Sequence, residues 1–298
     1  MATAQDFNGV TTGYVYDERN RLKGLDLPGT AEDVGYTYTP TGNRQTVADS
    51  RGTTTYAYDA RERLVSRIDP AGSVNLASGK TIEYGYDDAG NVVEVKTAAG
   101  TTTSGYDAQN RLAAVTDAGK QTQYAYDLAG NLAETQLPNG VVEKRTYDGL
   151  NRLAVLENVK GTEVLSKFEY TLDDSGNRTE VRESVKDALT GMLVVRTVRY
   201  GYDDLYRLTS ETVLDAAGTV TESRSWTYDD VGNRVSQTDA AAGTTTYSYD
   251  NNDRLLSESG ATNATYTYDS NGNTKSVTQA GGVTNYTWDN RNRMTRVV

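Results

Sequence analysis

Aromatic residues recur at alternate positions along this chain, and an aspartate follows most of the pairs. The stretch Thr53 to Gly72 shows the pattern in full, because Tyr56 and Tyr58 flank one small residue and Asp59 opens a short polar segment. Successive side chains of a strand point to opposite faces, so residues two positions apart share one face. The spacing therefore predicts a strand that carries both tyrosines on the same face of a sheet.

A tight turn is predicted after each aspartate. Aspartate accepts backbone N–H bonds at the first position of a type I turn, and glycine or asparagine tolerates the left-handed conformation at its end. In the same stretch a return strand runs from Arg63 to Asp69, and a second turn runs through Pro70 to Gly72. Glu62, Tyr206 and Asp253 occupy the left-handed position of their turns, where we expect slight strain. The aliphatic residues of the return strands do not alternate cleanly, which indicates either a β-bulge or a strand covered on both faces.

This unit occurs thirteen times, and aromatic residues fill 23 of its 26 aromatic slots. The turns alternate strictly between two types. Arginine-type turns, such as the one ending in Asn20-Arg21, carry an arginine four residues after the aspartate, whereas asparagine-type turns, such as the one ending in Gly42-Asn43, carry an asparagine there. The three slots without an aromatic residue hold Ser104, Arg145 and Leu172, and Thr39 replaces one aspartate. The residues that we assign to the structural motif are Tyr14, Tyr16, Asp17, Tyr36, Tyr38, Tyr56, Tyr58, Asp59, Tyr84, Tyr86, Asp87, Gly90, Tyr106, Asp107, Tyr124, Tyr126, Asp127, Gly130, Tyr147, Asp148, Tyr170, Asp173, Gly176, Tyr200, Tyr202, Asp203, Trp226, Tyr228, Asp229, Gly232, Tyr247, Tyr249, Asp250, Tyr266, Tyr268, Asp269, Gly272, Tyr286, Trp288 and Asp289.

The succession of strand, turn, strand and turn predicts an all-β fold. We expect a repetitive antiparallel meander of hairpins with up to 26 strands, a single array over residues 11–298, after a frayed lead-in at residues 1–10. Open twisted sheets seldom exceed about ten strands without curling. The sheet should therefore be a curved, single-layer piece of wall with an unpaired strand edge at each end.

Two segments depart from the regular spacing. The insertion SVNLASGK at residues 73–80 predicts an enlarged turn. A longer hairpin is predicted at about residues 178–203, around a turn at Ala188 to Gly191. It would either project past its neighbours, and so offer a contact to another part of a larger assembly, or belong to a wider patch of sheet.

The composition allows only a thin core. Leu, Ile, Val and Phe together make up less than a fifth of the chain, and the net charge is −11, which is close to the composition of disordered proteins. The 22 tyrosines change this picture, because each ring buries a large apolar face and aromatic pairs stabilise one another. The core should therefore be distributed along the array and largely aromatic.

Several functional classes are disfavoured by charge and composition. The acidic chain has no Lys/Arg cluster for a phosphate backbone, so we expect no nucleic-acid partner. It has no Cys and no His, which removes disulfides, thiolate zinc sites and the commonest general base. No run approaches the 18 apolar residues of a membrane span, and the first ten residues do not resemble a signal peptide. If the chain is exported, it travels within something larger or by a signal-independent route.

The carboxylates do not indicate a metal or catalytic site. Asp173 to Asn177 and Asp269 to Asn273 resemble calcium loops, but glycine comes at the fourth position instead of the sixth and no glutamate follows at the twelfth. Turn formation explains both. Nothing singles out two acids from 41 as a catalytic pair. We expect no metal, no cofactor, no catalytic residue and no enzymatic activity.

The tyrosine rows have two interpretations. Exposed rings along a groove could stack on sugars, which would make the array a carbohydrate-binding surface. Alternatively the rings pack against one another and against return-strand Leu and Val. We favour packing, because a sheet that exposed most of these rings would have little left to bury.

The segment from Tyr56-Ala57-Tyr58-Asp59 to Arg63-Leu64 resembles the YD repeat of the Rhs family, which occurs in bacterial polymorphic toxins, in the B and C components of insecticidal toxin complexes and in teneurins. The resemblance covers nearly the whole chain. It implies hairpins wound into a hollow β-shell around a C-terminal toxin. The family's core region after the repeats, with its Asp-Pro-x-Gly-Leu motif and self-cleaving aspartates, has no counterpart here. Asp69-Pro70-Ala71-Gly72 occupies an ordinary second turn, so no cleavage role carries over.

The resemblance implies a non-catalytic scaffold, a segment of shell that encapsulates a toxin or an unfolded passenger polypeptide. Residues 1–298 contain no segment that resembles a toxin domain, and we expect the chain to be an excised piece of wall. Twenty-six strands about 4.8 Å apart span roughly 125 Å, too little to enclose a folded cargo alone. The expected partners are the remaining shell repeats or the cargo of a larger parent protein that is secreted or displayed on the cell surface. The alternative is an adhesin or carbohydrate-binding array that uses its tyrosine rows.

Overall fold

A computed structural model describes residues 2–29, 33–71 and 80–298. All regular secondary structure within these ranges is β-strand. The strands are β1 (Ala2–Gln5), β2 (Thr11–Tyr16), β3 (Leu22–Asp26), β4 (Val34–Tyr38), β5 (Arg44–Asp49), β6 (Gly52–Tyr58), β7 (Leu64–Ile68), β8 (Thr81–Tyr86), β9 (Val92–Thr97), β10 (Gly100–Tyr106), β11 (Leu112–Asp117), β12 (Lys120–Tyr126), β13 (Leu132–Gln136), β14 (Val141–Tyr147), β15 (Leu153–Lys160), β16 (Glu163–Leu172), β17 (Arg178–Lys186), β18 (Leu193–Tyr202), β19 (Leu208–Leu214), β20 (Val220–Tyr228), β21 (Arg234–Asp239), β22 (Gly243–Tyr249), β23 (Leu255–Gly260), β24 (Ala264–Tyr268), β25 (Thr274–Gln279), β26 (Gly282–Trp288) and β27 (Met294–Val297).

The chain divides into two compact units. Met1–Lys120, Tyr268–Lys275 and Asn285–Val298 form the first unit, and Gln121–Thr267 with Ser276–Thr284 form the second. In the first, β1 to β11 follow one another as antiparallel neighbours, and β26 pairs with β27. In the second, β12 to β24 do the same. The predicted all-β fold, a repetitive antiparallel meander of hairpins, is confirmed.

Residues 2–10 are more ordered than the expected lead-in. Strand β1 pairs with β2, from Ala2 opposite Tyr14 to Gln5 opposite Thr11. Asp6 opens the turn between them, where its side chain accepts the N–H of Val10 at 2.8 Å. The aspartate turn is thus present without an aromatic pair before it, so the tyrosine pattern of the sequence does not mark this strand.

The predicted insertion lies largely outside the described residues. Gly72 and residues 73–79 of the insertion SVNLASGK are not described, so the enlarged turn stays a prediction. The residues on either side of this segment are hydrogen-bonded to each other, since the Asp69 N–H donates to the Lys80 carbonyl at 2.8 Å.

The long hairpin of β17 and β18 lies among other long strands. On one side β16 pairs with β17 as far as Ser166 opposite Val185, close to the tip. On the other side the pairing of β18 with β19 ends at Thr197 opposite Leu214. The hairpin therefore belongs to a wide patch of sheet on its β16 side and overhangs its neighbour on its β19 side.

Few side chains are completely buried. The motif aromatics are half-buried, apart from the more exposed Tyr16, while the residue between the two aromatics is exposed in most units. The rings therefore line the packed face of each strand. Small aliphatic residues form the deepest positions, as in the row where Val181 pairs with Val198 and Val198 pairs with Val213. The buried apolar residues in the described ranges are Leu27, Val34, Val159, Val181, Val198, Val213, Leu214 and Ala264.

Replacing Gly90 with valine should destabilise the protein by about 1–2 kcal/mol. Gly90 has a φ of +97°, and no heavy atom lies within 4 Å of an added Cβ, so the expected cost is conformational and not steric. Chemical denaturation of Gly90→Val beside Ala89→Val measures this. Equal stability of the two variants would contradict the turn conformation.

Candidate functional site

The repeated turn is the most highly organised feature of the structure. In the hairpin of β6 and β7, Oδ1 of Asp59 accepts the N–H groups of Arg61 and Arg63, both at 2.9 Å. The Glu62 N–H donates to the Asp59 carbonyl, and the Asp59 N–H donates to the Arg63 carbonyl, both at 3.0 Å. One carboxylate oxygen thus satisfies two amides that the tight turn would leave unpaired.

The second carboxylate oxygen holds the residue that distinguishes the two types of turn. In an arginine-type turn, Nε of Arg63 donates to Oδ2 of Asp59 at 2.7 Å. In an asparagine-type turn, Nδ2 of Asn91 donates to Oδ2 of Asp87 at 2.9 Å. The same contacts recur at other turns. Arginine donates at Arg21, Arg111, Arg152, Arg207, Arg254 and Arg293, and asparagine donates at Asn131, Asn177, Asn233 and Asn273.

The third residue after the aspartate has the left-handed conformation in both types. Its φ is +62° at Glu62, +62° at Tyr206 and +59° at Asp253, and it is +87° at Gly272. Non-glycine residues adopt this region at a small cost. The strain expected at Glu62, Tyr206 and Asp253 therefore has a structural basis.

A β-bulge follows each of the repeat turns for which the pairing is described, whereas the Asp6 turn between β1 and β2 has none. In β6 and β7, Ala57 is opposite Ser66 but Tyr58 is opposite Leu64, so Val65 has no partner of its own. The extra residue shifts the return strand by one position and so reverses the faces of its side chains beyond that point. It accounts for the irregular spacing of aliphatic residues in the return strands, one of the two explanations that the sequence left open.

The second aromatic residue of each pair ties its hairpin to the preceding one. The Tyr86 hydroxyl donates to the Leu64 carbonyl at 2.7 Å, at the bulge of the preceding hairpin. Trp288 makes the equivalent bond with its indole N–H to the Thr274 carbonyl at 2.8 Å. The acceptor is in each case the fifth residue after the preceding aspartate position. The other donors that show this bond are Tyr38, Tyr58, Tyr106, Tyr147, Tyr202, Tyr228 and Tyr249.

Neighbouring turns are linked through the same arginine and asparagine side chains. Nη1 of Arg63 donates to the Asp87 carbonyl in the next turn at 3.2 Å, and its guanidinium lies 4.4 Å from the Tyr86 ring centroid. Nδ2 of Asn91 donates in turn to Oδ1 of Asn110 at 3.1 Å. Arg21, Arg152 and Arg207 likewise contact the backbone of the next turn. Asn131, Asn233 and Asn273 likewise contact the left-handed residue of the next arginine-type turn, whereas Nδ2 of Asn43 has no partner among the described residues. The sequence showed the alternation but not this reason for it.

Other motif positions vary in their contacts. Tyr84, the first aromatic of its pair, packs on the same face without a hydroxyl bond in the described residues, whereas the Tyr266 hydroxyl donates to Glu258 at 2.8 Å. Arg145, which replaces an aromatic residue, donates to Thr135 at 3.1 Å and pairs with Glu143. At Arg145, polar bonds therefore take the place of ring packing.

Within the first unit, the first turn contacts a turn more than 260 residues later. The Asn8 N–H donates to Oδ1 of Asn271 at 3.0 Å, and the Ser270 N–H donates to Oδ1 of Asn8 at 2.9 Å. Asn271 also donates to Asp6 at 2.7 Å, and Asn8 donates to Asp269 at 3.0 Å. This reciprocal contact joins opposite ends of the chain, and nothing in the repeat pattern predicts it.

The turn carboxylates are engaged in hydrogen bonds that stabilise the turns. Backbone N–H donation from Arg63 lowers the pKa of Asp59, and side-chain N–H donation from Asn91 lowers the pKa of Asp87. Such carboxylates stay ionised and are poor proton donors at neutral pH. Among the described residues, no group of three or more His, Cys, Asp or Glu could hold a metal ion. In the same ranges, no helix is long and apolar enough to span a membrane.

These features define a structural repeat protein, an array of β-hairpins joined turn to turn. The RHS repeat model matches residues 38–74, 73–102 and 106–142, and the teneurin YD-shell model matches residues 184–298. The chain belongs to the Rhs/YD-repeat family.

Solved structures share this fold. The crystal structure of TcdB2-TccC3 matches with a TM-score of 0.74 and 17% identity, over 98% of this chain and 19% of that one. The structure of a Photorhabdus luminescens Tc holotoxin pore matches with a TM-score of 0.60 and 16% identity, over 99% of this chain and 20% of that one. This chain thus spans about a fifth of the length of these structures. No curated protein sequence matches significantly.

Replacing Tyr86 with phenylalanine should lower the free energy of unfolding by about 1 kcal/mol, because the hydroxyl bond to the Leu64 carbonyl is lost while the ring remains. Tyr84→Phe in the same strand is the matched control, since its hydroxyl makes no such bond. Denaturation in urea measures both variants. Equal losses would show that the hydroxyl bond does not hold neighbouring hairpins together.

The stability should fall in acid. The folded-state pKa values of Asp59 and Asp87 lie below the ordinary 3.8, so their contribution is complete above about pH 4 and is lost as pH falls through the lowered values. An NMR pH titration measures this through the amide of Asn91, which bonds to Asp87 at 2.8 Å.

The Thr39 turn provides the control for that titration. Its hydroxyl accepts the Asn43 N–H at 3.1 Å and does not ionise in this range. The Asn91 amide signal should therefore shift with pH while the Asn43 signal stays nearly constant. An Asn91 midpoint at or above 3.8 would refute the lowered pKa of Asp87.

Proposed function

We propose that this array is part of a closed β-shell that encloses a toxin or an unfolded passenger polypeptide within a larger parent protein. The observation that carries the proposal is the chain of bonds from each turn to the next, exemplified by Asp59, Arg63, Asp87 and Asn91. These bonds join hairpins side by side without a central core. Such an array is suited to forming a wall, because each unit needs only its neighbours for support.

We infer a non-catalytic role, because the charged side chains of the turns are engaged in structural hydrogen bonds. The turn aspartates bind backbone amides, and the arginines that face them bind the next turn. The sequence has no His or Cys to replace them. We therefore assign no reaction and no cofactor to the array.

Membership of the Rhs/YD-repeat family supports the proposal that the parent protein contains a passenger polypeptide. The similarity in fold to Tc toxin structures agrees with this proposal. One matched structure is described as TcdB2-TccC3 without its hypervariable C-terminal region, so the complete protein has such a region. The match has a TM-score of 0.68 and 17% identity. By analogy, we place the passenger outside residues 1–298, in the parent protein, and we expect that protein to be secreted or displayed on the cell surface.

The rival function is carbohydrate binding. Stacking on a sugar requires open ring faces, but the motif rings are half-buried. In several pairs the hydroxyl of the second tyrosine already donates to a neighbouring hairpin. Arginine guanidinium groups cover further rings, as Arg21 does at 4.5 Å from the Tyr38 centroid. The tyrosine rows are therefore better suited to packing.

Enclosure predicts that the array protects the passenger from proteases. In the parent protein, the paired substitutions Gly90→Val and Gly130→Val should loosen two turns and speed proteolysis of the passenger several-fold. Gly90 and Gly130 have φ values of +97° and +92°, which valine tolerates poorly. The control pair is Ala89→Val and Ala129→Val, which should leave protection unchanged. A passenger digested as quickly in the unmodified parent as when isolated would refute enclosure.

A glycan-binding measurement distinguishes the carbohydrate-binding function from the proposed shell. Replacing Tyr124 and Tyr126 with alanine should lower the stability of the array, and the unmodified chain should bind no glycan on an array. Saturable glycan binding that is lost in this variant while its fold persists would favour the carbohydrate-binding function instead.

A further inference from the structure

Within the described ranges, the hairpin of β17 and β18 has one strand edge that is partly unpaired. Strand β18 pairs with β17 as far as Leu193 opposite Lys186, but with β19 only as far as Thr197 opposite Leu214. Among the residues that the structure describes, positions 193–196 of β18, here termed the β18 overhang, therefore have a partner strand on one side only. With a rise of about 3.3 Å per residue the overhang is roughly 13 Å long, enough for three or four residues of an added strand.

The backbone groups of Leu193 and Val195 face the open side. Hydrogen-bonded and non-hydrogen-bonded pairs alternate along antiparallel strands. The Asp187 N–H donates to the Met192 carbonyl at 2.8 Å, which makes Met192 part of a hydrogen-bonded pair. Because the register with β17 is continuous, Leu193 and Val195 belong to non-hydrogen-bonded pairs. Their N–H and C=O groups point away from β17, toward the space beyond the end of β19.

Exposed apolar side chains surround this edge. Leu193 is 47% exposed and Val194 is 56% exposed, and Val185, which lies opposite Val194, is 41% exposed. Leu189 and Met192 in the adjoining turn are 96% and 67% exposed. A cluster of exposed apolar residues at an unpaired edge is typical of an interaction surface and is otherwise a risk for aggregation.

Carboxylates border both ends of the overhang. Asp187 lies in the turn that joins β17 to β18, and Asp215 directly follows Leu214, the last β19 residue that pairs with β18. The chain as a whole has a net charge of −11. The basic residues at the overhang are already paired, Arg196 with Glu183 and Lys186 with Glu163. An approaching segment with acidic residues would therefore be repelled, whereas a basic residue at its end would be attracted.

We propose that the β18 overhang binds an extended apolar segment of the passenger polypeptide by strand addition, with main-chain bonds to Leu193 and Val195. The inference rests on the proposed enclosure of an unfolded passenger. An unfolded segment offers free backbone groups and apolar side chains together, whereas the surface of a folded protein seldom exposes both. The segment carries apolar residues at alternate positions and a basic residue near one end.

A synthetic peptide tests this surface on the complete chain. The probe is a ten-residue peptide with a lysine at each end, and with valine and threonine alternating between them. Fluorescence anisotropy should show saturable binding, and amide hydrogen exchange at Leu193 and Val195 should slow when the peptide is bound.

Two substitutions at one position make the test specific. Val195→Pro removes an N–H that faces outward, so no bond to β17 is lost, and the peptide should bind at least about tenfold more weakly. Val195→Thr keeps the N–H and the β-branched shape, and it should bind within about twofold of the unmodified chain. Circular dichroism and thermal unfolding establish that both variants are folded.

Equal binding by the proline and threonine variants, or no saturable binding by the unmodified chain, would overturn the inference. Dimerisation of the unmodified chain that Val195→Pro abolishes would also overturn it, because the edge would then pair with a second copy. Protease protection of the passenger in the parent protein would persist in each of these cases. Loss of that protection would refute the enclosure itself, so the two failures are distinguishable.

Discussion

The aspartate carboxylate at the start of each turn is the group on which the rest of the array depends. One oxygen of Asp59 accepts two backbone amides and fixes the turn, and the other holds Arg63. Held in this way, Arg63 reaches the Asp87 carbonyl of the next turn and stacks on Tyr86. A single carboxylate therefore organises both its own hairpin and the junction to the next one. This compensates for an aliphatic content too low to build a conventional core.

Two types of turn are required because successive junctions differ chemically. Arginine-type turns supply a guanidinium to the next backbone carbonyl, and asparagine-type turns supply an amide to the next left-handed residue. Two arginine-type turns in succession would bring two guanidinium groups close together and leave one left-handed asparagine without its donor. The strict alternation in the sequence reflects this complementarity.

The structural features that depend on nearby residues in the chain were predicted from the sequence. The contacts that depend on strand register were not. The aspartate turn, the left-handed position of Gly90 and the shared face of Tyr84 and Tyr86 all follow from spacing within one unit. The bond from Tyr86 to the Leu64 carbonyl joins residues 22 positions apart and depends on where the bulge lies, which the sequence left open. Strand β1 was missed because its turn lacks the aromatic pair. The contact of Asn8 with Asn271 depends on how distant turns meet, which no local pattern encodes.

A structure held by many equal junctions is most vulnerable where a strand has one neighbour instead of two. Loss of one hydroxyl or guanidinium bond removes a single junction, and the hairpins on either side keep their other contacts. Opening therefore begins at a free strand edge, where fewer bonds have to break. The β18 overhang is such an edge within the second unit, and its exposed Leu193 and Val194 give it no protection of its own. A bound strand there would complete the hydrogen bonding of β18, so a passenger held at this edge, as we propose, would also stabilise the array.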